Sequence, residues 1–278
     1  MPCDVVIVHV DEQPPTAWCA AVYLCGPTPT DPREPSWRPA AVTALREGWA
    51  GPGTLVVFVP EPSAGGRYPA YAEQIAWEEE AMRLSDVIAF YIPRDMTRLP
   101  GLVSNIKWGA WCGSGRAVLG APPEADRMEY LMHFAEALGV PVARSAEATV
   151  RVALDRIGPG VHRTGGERAV PLQVWRTGPF QRWYAQRLAA GDRLLDARVE
   201  WYGPQATASG TEGSPAAGTP APGSPAPVDP AHPADWLLSV TLAPAGGGGG
   251  GGRGGGGAAG GGGGGGVQVD WLRGRGVG

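Results

Sequence analysis

Short apolar runs rich in β-branched residues recur through the first half of this chain, and helix-like segments separate them. The runs are Asp4 to Val10, Ala20 to Cys25, Thr54 to Val59, Val87 to Ile92, Arg116 to Leu119 and Val140 to Ala143. Helices are predicted near 36–47, 77–84, 105–112, 124–138 and 146–157, the first capped by Ser36. Strands that alternate with helices form βαβ units with right-handed crossovers and a parallel sheet. We therefore predict a doubly wound, three-layer α/β domain with a mostly parallel five-stranded sheet, in which the first run is an edge strand.

This predicted domain covers residues 1–157, and the composition changes beyond it. Residues 158–203 combine a helix-like middle with strand-like ends and form a predicted C-terminal extension. Most of the 44 glycines follow residue 203. Because 204–234 and 246–266 contain few apolar side chains to bury, residues 204–278 are predicted to be a mostly disordered, low-complexity tail. Within that tail, Trp236 to Leu242 is a short strand candidate.

Charge and cysteine usage exclude several classes of partner. The formal net charge is -4 and the chain has no basic run, which argues against nucleic acid and anionic membrane as partners. No apolar run reaches the length of a membrane span, and the N-terminus lacks the pattern of a secretory leader. The four cysteines form no CxxC pair and the four histidines are scattered, so we expect neither a metal site nor a cofactor. These features predict a cytoplasmic protein with reduced thiols.

The predicted fold indicates where a ligand would bind, because open α/β sheets hold ligands beyond the carboxyl ends of their strands. Those ends carry Gly26, Pro27, Glu61, Arg94 and, further along, Asn105. Gly26 lets a ligand approach the backbone closely, although a glycine that ends a strand is at least as often a turn residue. Arg94 suits an anion, and its alternatives are solvent or an ion pair with a neighbouring carboxylate.

Two further candidates lie on the acidic helix that precedes the fourth run. Glu78 is a candidate acid, but it stands beside Glu79 and Glu80, and such a run is also typical of a solvated helix face. Trp77 could stack on a planar ring, although a tryptophan at helical spacing is more often part of the core. The chain has no Walker loop, no GxGxxG and no GxSxG, which disfavours the commonest nucleotide and hydrolase sites of this fold.

Six segments between about residues 20 and 142 form an ordered set of motifs. They are VYLCGPTP, PSWRPAA, VVFVPEP, QIAWEEEAMRLSDVIAFYIPRDM, LPGLVSNIKWGAW and SGRAVLGAPPEA. Each motif alone is weak, but together they resemble the nucleoside 2-deoxyribosyltransferase-like family. The resemblance implies a flavodoxin-like fold and a transferase that acts on the N-glycosidic bond of a nucleoside or nucleotide. In that reaction a carboxylate displaces the base at C1′, and the deoxyribosyl group passes to another base or to water.

The resemblance also implies roles for individual residues. Tyr23 to Pro27 matches the first ribose-side loop, Glu78 matches the acid that handles the base, and Asn105 matches an active-site asparagine. The segment SNIKWG stands where the family reads N-x-E-W-G or E-L-G, which puts Lys107 at the nucleophile position. Relatives are commonly oligomeric, so the resemblance leaves a homo-oligomer open, with a neighbouring subunit completing the site.

Lys107 is the only lysine of the chain, and it changes the chemistry that the resemblance implies. A protonated ammonium is no nucleophile, and a cation beside an oxocarbenium-like centre raises the barrier to reaction. The family's aspartate six residues earlier is also replaced, by Gly101. One alternative is an enzyme in which Glu78 is the acid and a different group attacks. Another is a non-catalytic relative in which Lys107 pairs with Glu78 or binds an anionic ligand, and a third is a decayed chain without function.

Residues 170–202 are similar to a linker that precedes a Nudix hydrolase domain in similar proteins. A Nudix domain holds magnesium with a glycine followed by a spaced REххEE cluster, and no such cluster follows residue 160. We therefore predict no diphosphatase activity.

Overall fold

The computed structural model describes residues 4–29, 31, 33–203, 235–245 and 268–275. Its elements in chain order are β1 (Asp4–His9), β2 (Ala17–Trp18), β3 (Ala20–Cys25), α1 (Arg38–Gly48), β4 (Thr54–Val59), α2 (Tyr71–Leu84), β5 (Val87–Tyr91), α3 (Leu102–Trp111), β6 (Ala117–Gly120), α4 (Glu129–Ala137), β7 (Val142–Ala143), α5 (Ala146–Ile157), β8 (Arg163–Thr164), α6 (Leu172–Trp175), α7 (Gly178–Ala189), β9 (Arg193–Gly203), β10 (Asp235–Ala243) and β11 (Gln268–Arg275). Short 3-10 helices follow α3 at Cys112–Ser114 and β8 at Gly165–Ala169.

The central sheet confirms the doubly wound α/β prediction and adds one strand to it. Its order is β1-β4-β3-β5-β6-β7, and every neighbouring pair is parallel. The five strands from β4 to β7 follow the 2-1-3-4-5 order of flavodoxin-like folds. All six strands correspond to predicted apolar runs, so the predicted count of five was one too low. Strand β1 pairs with β4 along its whole length, from Asp4 opposite Thr54 to His9 opposite Val59. As predicted, β1 is an edge strand.

Two apolar clusters pack on opposite faces of this sheet and produce the three layers. One cluster joins side chains such as Phe58 and Ile88 to helices α2, α3 and α4. The other joins side chains such as Val57 and Ala89 to α1 and α5. Successive strand residues point to opposite faces, so a strand covered on both faces must be apolar at every position. This explains why the central strands are continuous apolar runs.

Helix boundaries differ from the predicted ones where local hydrogen bonds or turns intervene. Helix α2 begins at Tyr71, well before the predicted Trp77, because the Glu73 carboxylate accepts a hydrogen bond from the Ala70 N–H at 3.3 Å and caps the helix there. Helix α4 is shorter than predicted, because turns occupy the residues before Glu129. Ser36 is not the N-cap of α1, which is Trp37; the Ser36 hydroxyl instead accepts from the Arg38 N–H at 3.2 Å and donates to Glu61.

Strands β9, β10 and β11 form a separate antiparallel sheet with β10 in the middle. The predicted strand at Trp236 to Leu242 lies within β10, where Trp236, Leu238, Val240 and Leu242 alternate toward a buried core with Phe180 of α7. Most of the predicted disordered tail, at 204–234 and 246–267, lies outside the described residues. No helix in the described ranges is both long enough and apolar enough to cross a membrane.

Candidate functional site

A cavity of about 570 Å³ lies beyond the carboxyl ends of β3 and β5. Strand β3 pairs with β4 on one side and with β5 on the other, so the strand order changes direction at β3 and opens a crevice there. The walls of this strand-end cavity are the loop after β3, helix α2, the segment 98–101 and helix α3. Its lining includes Gly26, Pro27, Thr28, Tyr68, Tyr71, Gln74, Ile75, Glu78, Met82, Gly101, Lys107 and Trp111.

An ion pair between α2 and α3 occupies the polar part of this cavity. Lys107 Nζ lies 2.5 Å from Glu78 Oε2 and donates to the Tyr23 hydroxyl at 3.3 Å. The other Glu78 oxygen accepts a hydrogen bond from Gln74 Nε2 at 3.2 Å. Both charged side chains are mostly buried, with 16% of Lys107 and 10% of Glu78 exposed. The ammonium of Lys107 therefore compensates the negative charge of Glu78, and each oxygen of that carboxylate accepts from a donor.

Tyr23 forms the floor beneath the ion pair. It is fully buried in β3, and burial raises the pKa of its phenol well above the ordinary value of 10.0. The phenol is therefore neutral at physiological pH, and it can accept from Lys107 while its own O–H remains a donor. Tyr23 thus adds no charge beneath the ion pair of Lys107 and Glu78.

Arg38 shapes the loop after β3, and the sequence analysis did not identify it. Its side chain is 1% exposed; Nε donates to Leu24 O at 3.1 Å and Nη2 donates to Gly26 O at 2.7 Å. Nη1 donates to Thr28 Oγ1 at 3.0 Å and pairs with Glu61 Oε1 at 2.5 Å. Glu61 thus holds Arg38 behind the loop and does not line the cavity. The sequence feature that could have indicated Arg38 is its place in the first turn of a predicted helix, within the motif PSWRPAA.

Gly26 is required by the packing of the protein itself. A Cβ added at this position would lie 2.1 Å from Tyr91 O and 3.0 Å from the Trp37 ring. We expect Gly26→Ala to lower the free energy of unfolding by about 1–3 kcal/mol, because the ends of β3 and β5 must separate to admit the methyl group. Gly113→Ala is the matched control, since an added Cβ there meets nothing within 4 Å. Urea unfolding of both variants measures the difference, and equal stability would contradict this explanation.

The structure separates the remaining predicted residues from the strand-end cavity. Trp77 packs edge-on against Phe58 with ring centroids 5.9 Å apart, and its Nε1 donates to Glu12 O at 3.1 Å. Arg94 donates to Asn105 Oδ1, and both residues line a second cavity between α3 and α4. Asn105 and Lys107 are two positions apart on α3, which is about 200° of helical rotation, so their side chains leave opposite sides of the helix.

Tyr68, in the loop before α2, and two side chains from the first turns of α2 form a rim of the cavity. Tyr68 is 45% exposed, Tyr71 is 71% exposed and Ile75 is 42% exposed, and all three line the strand-end cavity. The loop with Tyr68 was expected at the crevice, but the predicted start of α2 at Trp77 left Tyr71 and Ile75 in a loop without an assigned direction. Within the described ranges, no group of three or more His, Cys, Asp or Glu side chains is arranged to hold a metal ion.

Comparison with protein-family models matches residues 19–125 to the family described as nucleoside 2-deoxyribosyltransferase like. The match begins just before β3 and ends just before α4, so it contains both Glu78 and Lys107. A comparison with curated proteins finds no match. The order of the strands, the cavity at the point where that order reverses, and the family match all concern the same part of the chain. The segment from residue 19 to residue 125, which holds the strand-end cavity, is therefore similar to the nucleoside 2-deoxyribosyltransferase-like family.

Proposed function

We propose that the strand-end cavity binds a nucleoside or nucleotide and that the native chain does not transfer the deoxyribosyl group. The family match supports this class of ligand. The observation that carries the second half of the proposal is the ion pair between Lys107 and Glu78, whose charged atoms are 2.5 Å apart. A cavity in which an ammonium is in contact with Glu78 is suited to binding, and the position that matches the family's nucleophile offers no carboxylate there.

The chemistry of glycosyl transfer explains why this pair is incompatible with the family reaction. Retaining transfer uses two carboxyl groups, one to attack C1′ and one to act as an acid toward the leaving group. Here the position that matches the nucleophile carries a cation, and Glu78 is bound to it. Positive charge beside an oxocarbenium-like transition state opposes the electrostatic stabilisation on which such reactions depend. Hydrogen bonds from Lys107 and Gln74 to the two oxygens of Glu78 also weaken that carboxylate as a nucleophile.

The remaining walls of the cavity suit a flat, partly apolar ligand. Tyr68, Tyr71, Ile75 and Met82 supply apolar and aromatic surface on the α2 side, and Trp111 supplies it on α3. A volume of about 570 Å³ lies within the range of small-molecule sites. A nucleobase resting on the Tyr68 and Tyr71 side would direct its sugar toward Lys107 and Gln74.

Loss of a rim tyrosine is expected to weaken nucleoside binding. Stacking of a base on an aromatic ring contributes enough that Tyr68→Ala should raise the Kd for a 2′-deoxynucleoside about tenfold. Isothermal titration of the full chain with 2′-deoxyadenosine, 2′-deoxycytidine and thymidine measures this change. Tyr130→Ala is the control, because Tyr130 is also an exposed tyrosine but lies across α3 on the second cavity. It should leave the Kd unchanged.

Two outcomes would contradict the proposal. Absence of heat and of any rise in Tm with all three deoxynucleosides and with their 5′-monophosphates would exclude this ligand class. If chromatography detects release of free base by the wild-type chain, Lys107 does not prevent glycosyl chemistry.

A further inference from the structure

A second cavity, of about 500 Å³, lies on the far side of α3, between this helix and α4. Its walls include the rings of Trp108, Tyr130 and Phe134 together with Leu131. Two arginines, Arg94 and Arg127, also line it, and the described residues of its lining include no carboxylate. The strand-end cavity differs in this respect, because Glu78 and Glu79 line it. This α3–α4 cavity is thus apolar and carries positive charge.

Arg94 is buried without an anionic partner. It is 5% exposed, and its Nη1 donates to Arg127 O at 2.9 Å while its Nη2 donates to Asn105 Oδ1. Its Nε has no hydrogen-bond partner, and no ion pair involves it among the described residues. Burial lowers the pKa of this guanidinium, and the charge of Asp126 only partly offsets the effect. A buried cation with only neutral partners costs free energy that an anion would recover.

The backbone beside Arg94 is held in an unfavourable conformation. Arg127 has a φ of 50°, which is the left-handed region that a residue with a side chain seldom adopts. Its carbonyl accepts from Arg94 Nη1, and the neighbouring Asp126 N–H donates to Arg94 O at 3.0 Å. These contacts keep the exposed Arg127 side chain at the edge of the cavity. Strained residues of this kind concentrate at ligand sites, where the surrounding structure maintains them.

We propose that the α3–α4 cavity binds a small organic acid, with a flat apolar body between the aromatic walls and a carboxylate paired with Arg94. A guanidinium matches a carboxylate through two parallel hydrogen bonds, and aromatic rings favour a planar apolar body. Arg127 adds attraction at the mouth of the cavity. This site is distinct from the proposed nucleoside site, because α3 stands between them and Lys107 leaves its opposite side.

The test uses 2-naphthoate as the probe and the full chain as the protein. Isothermal titration should detect binding of 2-naphthoate to the wild type, and the neutral isostere 2-naphthamide should bind at least tenfold more weakly. Arg94→Met keeps the length of the side chain but removes its charge, and it should weaken 2-naphthoate about ten- to hundredfold. Arg98→Met is the matched control, because it removes the same charge from an exposed arginine that lines the other cavity. It should leave the Kd unchanged.

A second pair of variants makes the test independent of how Arg94→Met folds. Tyr130 is 78% exposed on α4 and Tyr71 is 71% exposed on α2, so alanine at either position leaves the core intact. Tyr130→Ala should weaken 2-naphthoate several-fold, since one aromatic wall is lost, and Tyr71→Ala should have no effect. The proposal is overturned if 2-naphthoate does not bind the wild type, if the amide binds equally well, or if Tyr130→Ala and Tyr71→Ala have the same affinity as the wild type. Failure of the nucleoside titration would not affect this result.

Discussion

Replacement of Asp86 by alanine is expected to lower the free energy of unfolding by about 3–5 kcal/mol, because it leaves a buried cation unpaired. Asp86 and Arg163 are both fully buried, and Asp86 Oδ1 lies 2.5 Å from Arg163 Nη2. Asp86 Oδ2 accepts the Ala21 N–H at 2.9 Å, and Arg163 also donates to Val170 O. One carboxylate thus joins the start of β3, the start of β5 and the segment that follows α5.

Urea unfolding of the wild type and of Asp86→Ala measures the loss. Asp31→Ala is the control, because the ion pair of Asp31 with Arg33 is exposed and should contribute less than about 1 kcal/mol. The double variant Asp86→Ala with Arg163→Met should be more stable than Asp86→Ala alone, since no charge is then left unpaired in the core. A loss below about 1 kcal/mol for Asp86→Ala, or a double variant less stable than the single one, would contradict this assignment.

The second large effect is a gain of function. Lys107→Glu is expected to release free base from a 2′-deoxynucleoside at least about a hundredfold faster than the wild type. The substitution puts a second carboxyl group beside Glu78, and repulsion between like charges raises the pKa of one of the two. One group then carries a proton for the departing base while the other attacks C1′, which is the division of roles that retaining transfer requires.

Chromatography of a reaction with 2′-deoxyadenosine and free cytosine follows both base release and base exchange. Lys107→Gln is the matched control, because it removes the cation without adding a carboxylate and should remain inactive. Adding Glu78→Gln to Lys107→Glu should abolish the gained activity. If Lys107→Glu still binds deoxynucleosides but releases no base, Lys107 alone does not account for the missing activity. Equal base release by wild type and variant would contradict the proposed function.

The fold was largely predictable because its strands are buried on both faces and its helices carry one apolar face. Runs such as Thr54 to Val59 and Val87 to Ile92 are apolar at every position, which is typical of strands covered on both faces of a sheet. All six strands of the sheet were among the predicted runs, although the sheet was predicted with five, because an edge strand and a two-residue strand leave a weaker pattern than a central strand does. The beginning of α2 was missed for a similar reason, since its first two turns carry the exposed Tyr71 and Ile75 and contain no fully buried side chain before Glu78.

The site was predictable only in part, because spacing along the chain does not indicate which groups meet. Glu78 and Lys107 come together because α2 and α3 cover the same face of the sheet. Glu61 was predicted as a ligand contact, but in the structure it forms an ion pair with Arg38. No local sequence pattern shows that Arg38 is buried. Arg94 and Asn105 were expected at the same crevice as Lys107, and the rotation of α3 directs them to another cavity.

The sequence by itself determined the alternation of strands and helices, the resemblance to the family and the replacement of the expected nucleophile by Lys107. These are local properties, recorded in hydrophobic period, motif and residue identity. Only the tertiary structure decided that Lys107 pairs with Glu78, that Arg94 is buried without an anion, and that β9, β10 and β11 assemble one sheet from distant segments. The reason is physical: an ion pair or a strand pairing depends on the distance between groups in space, which is set by how helices rotate and strands align during packing.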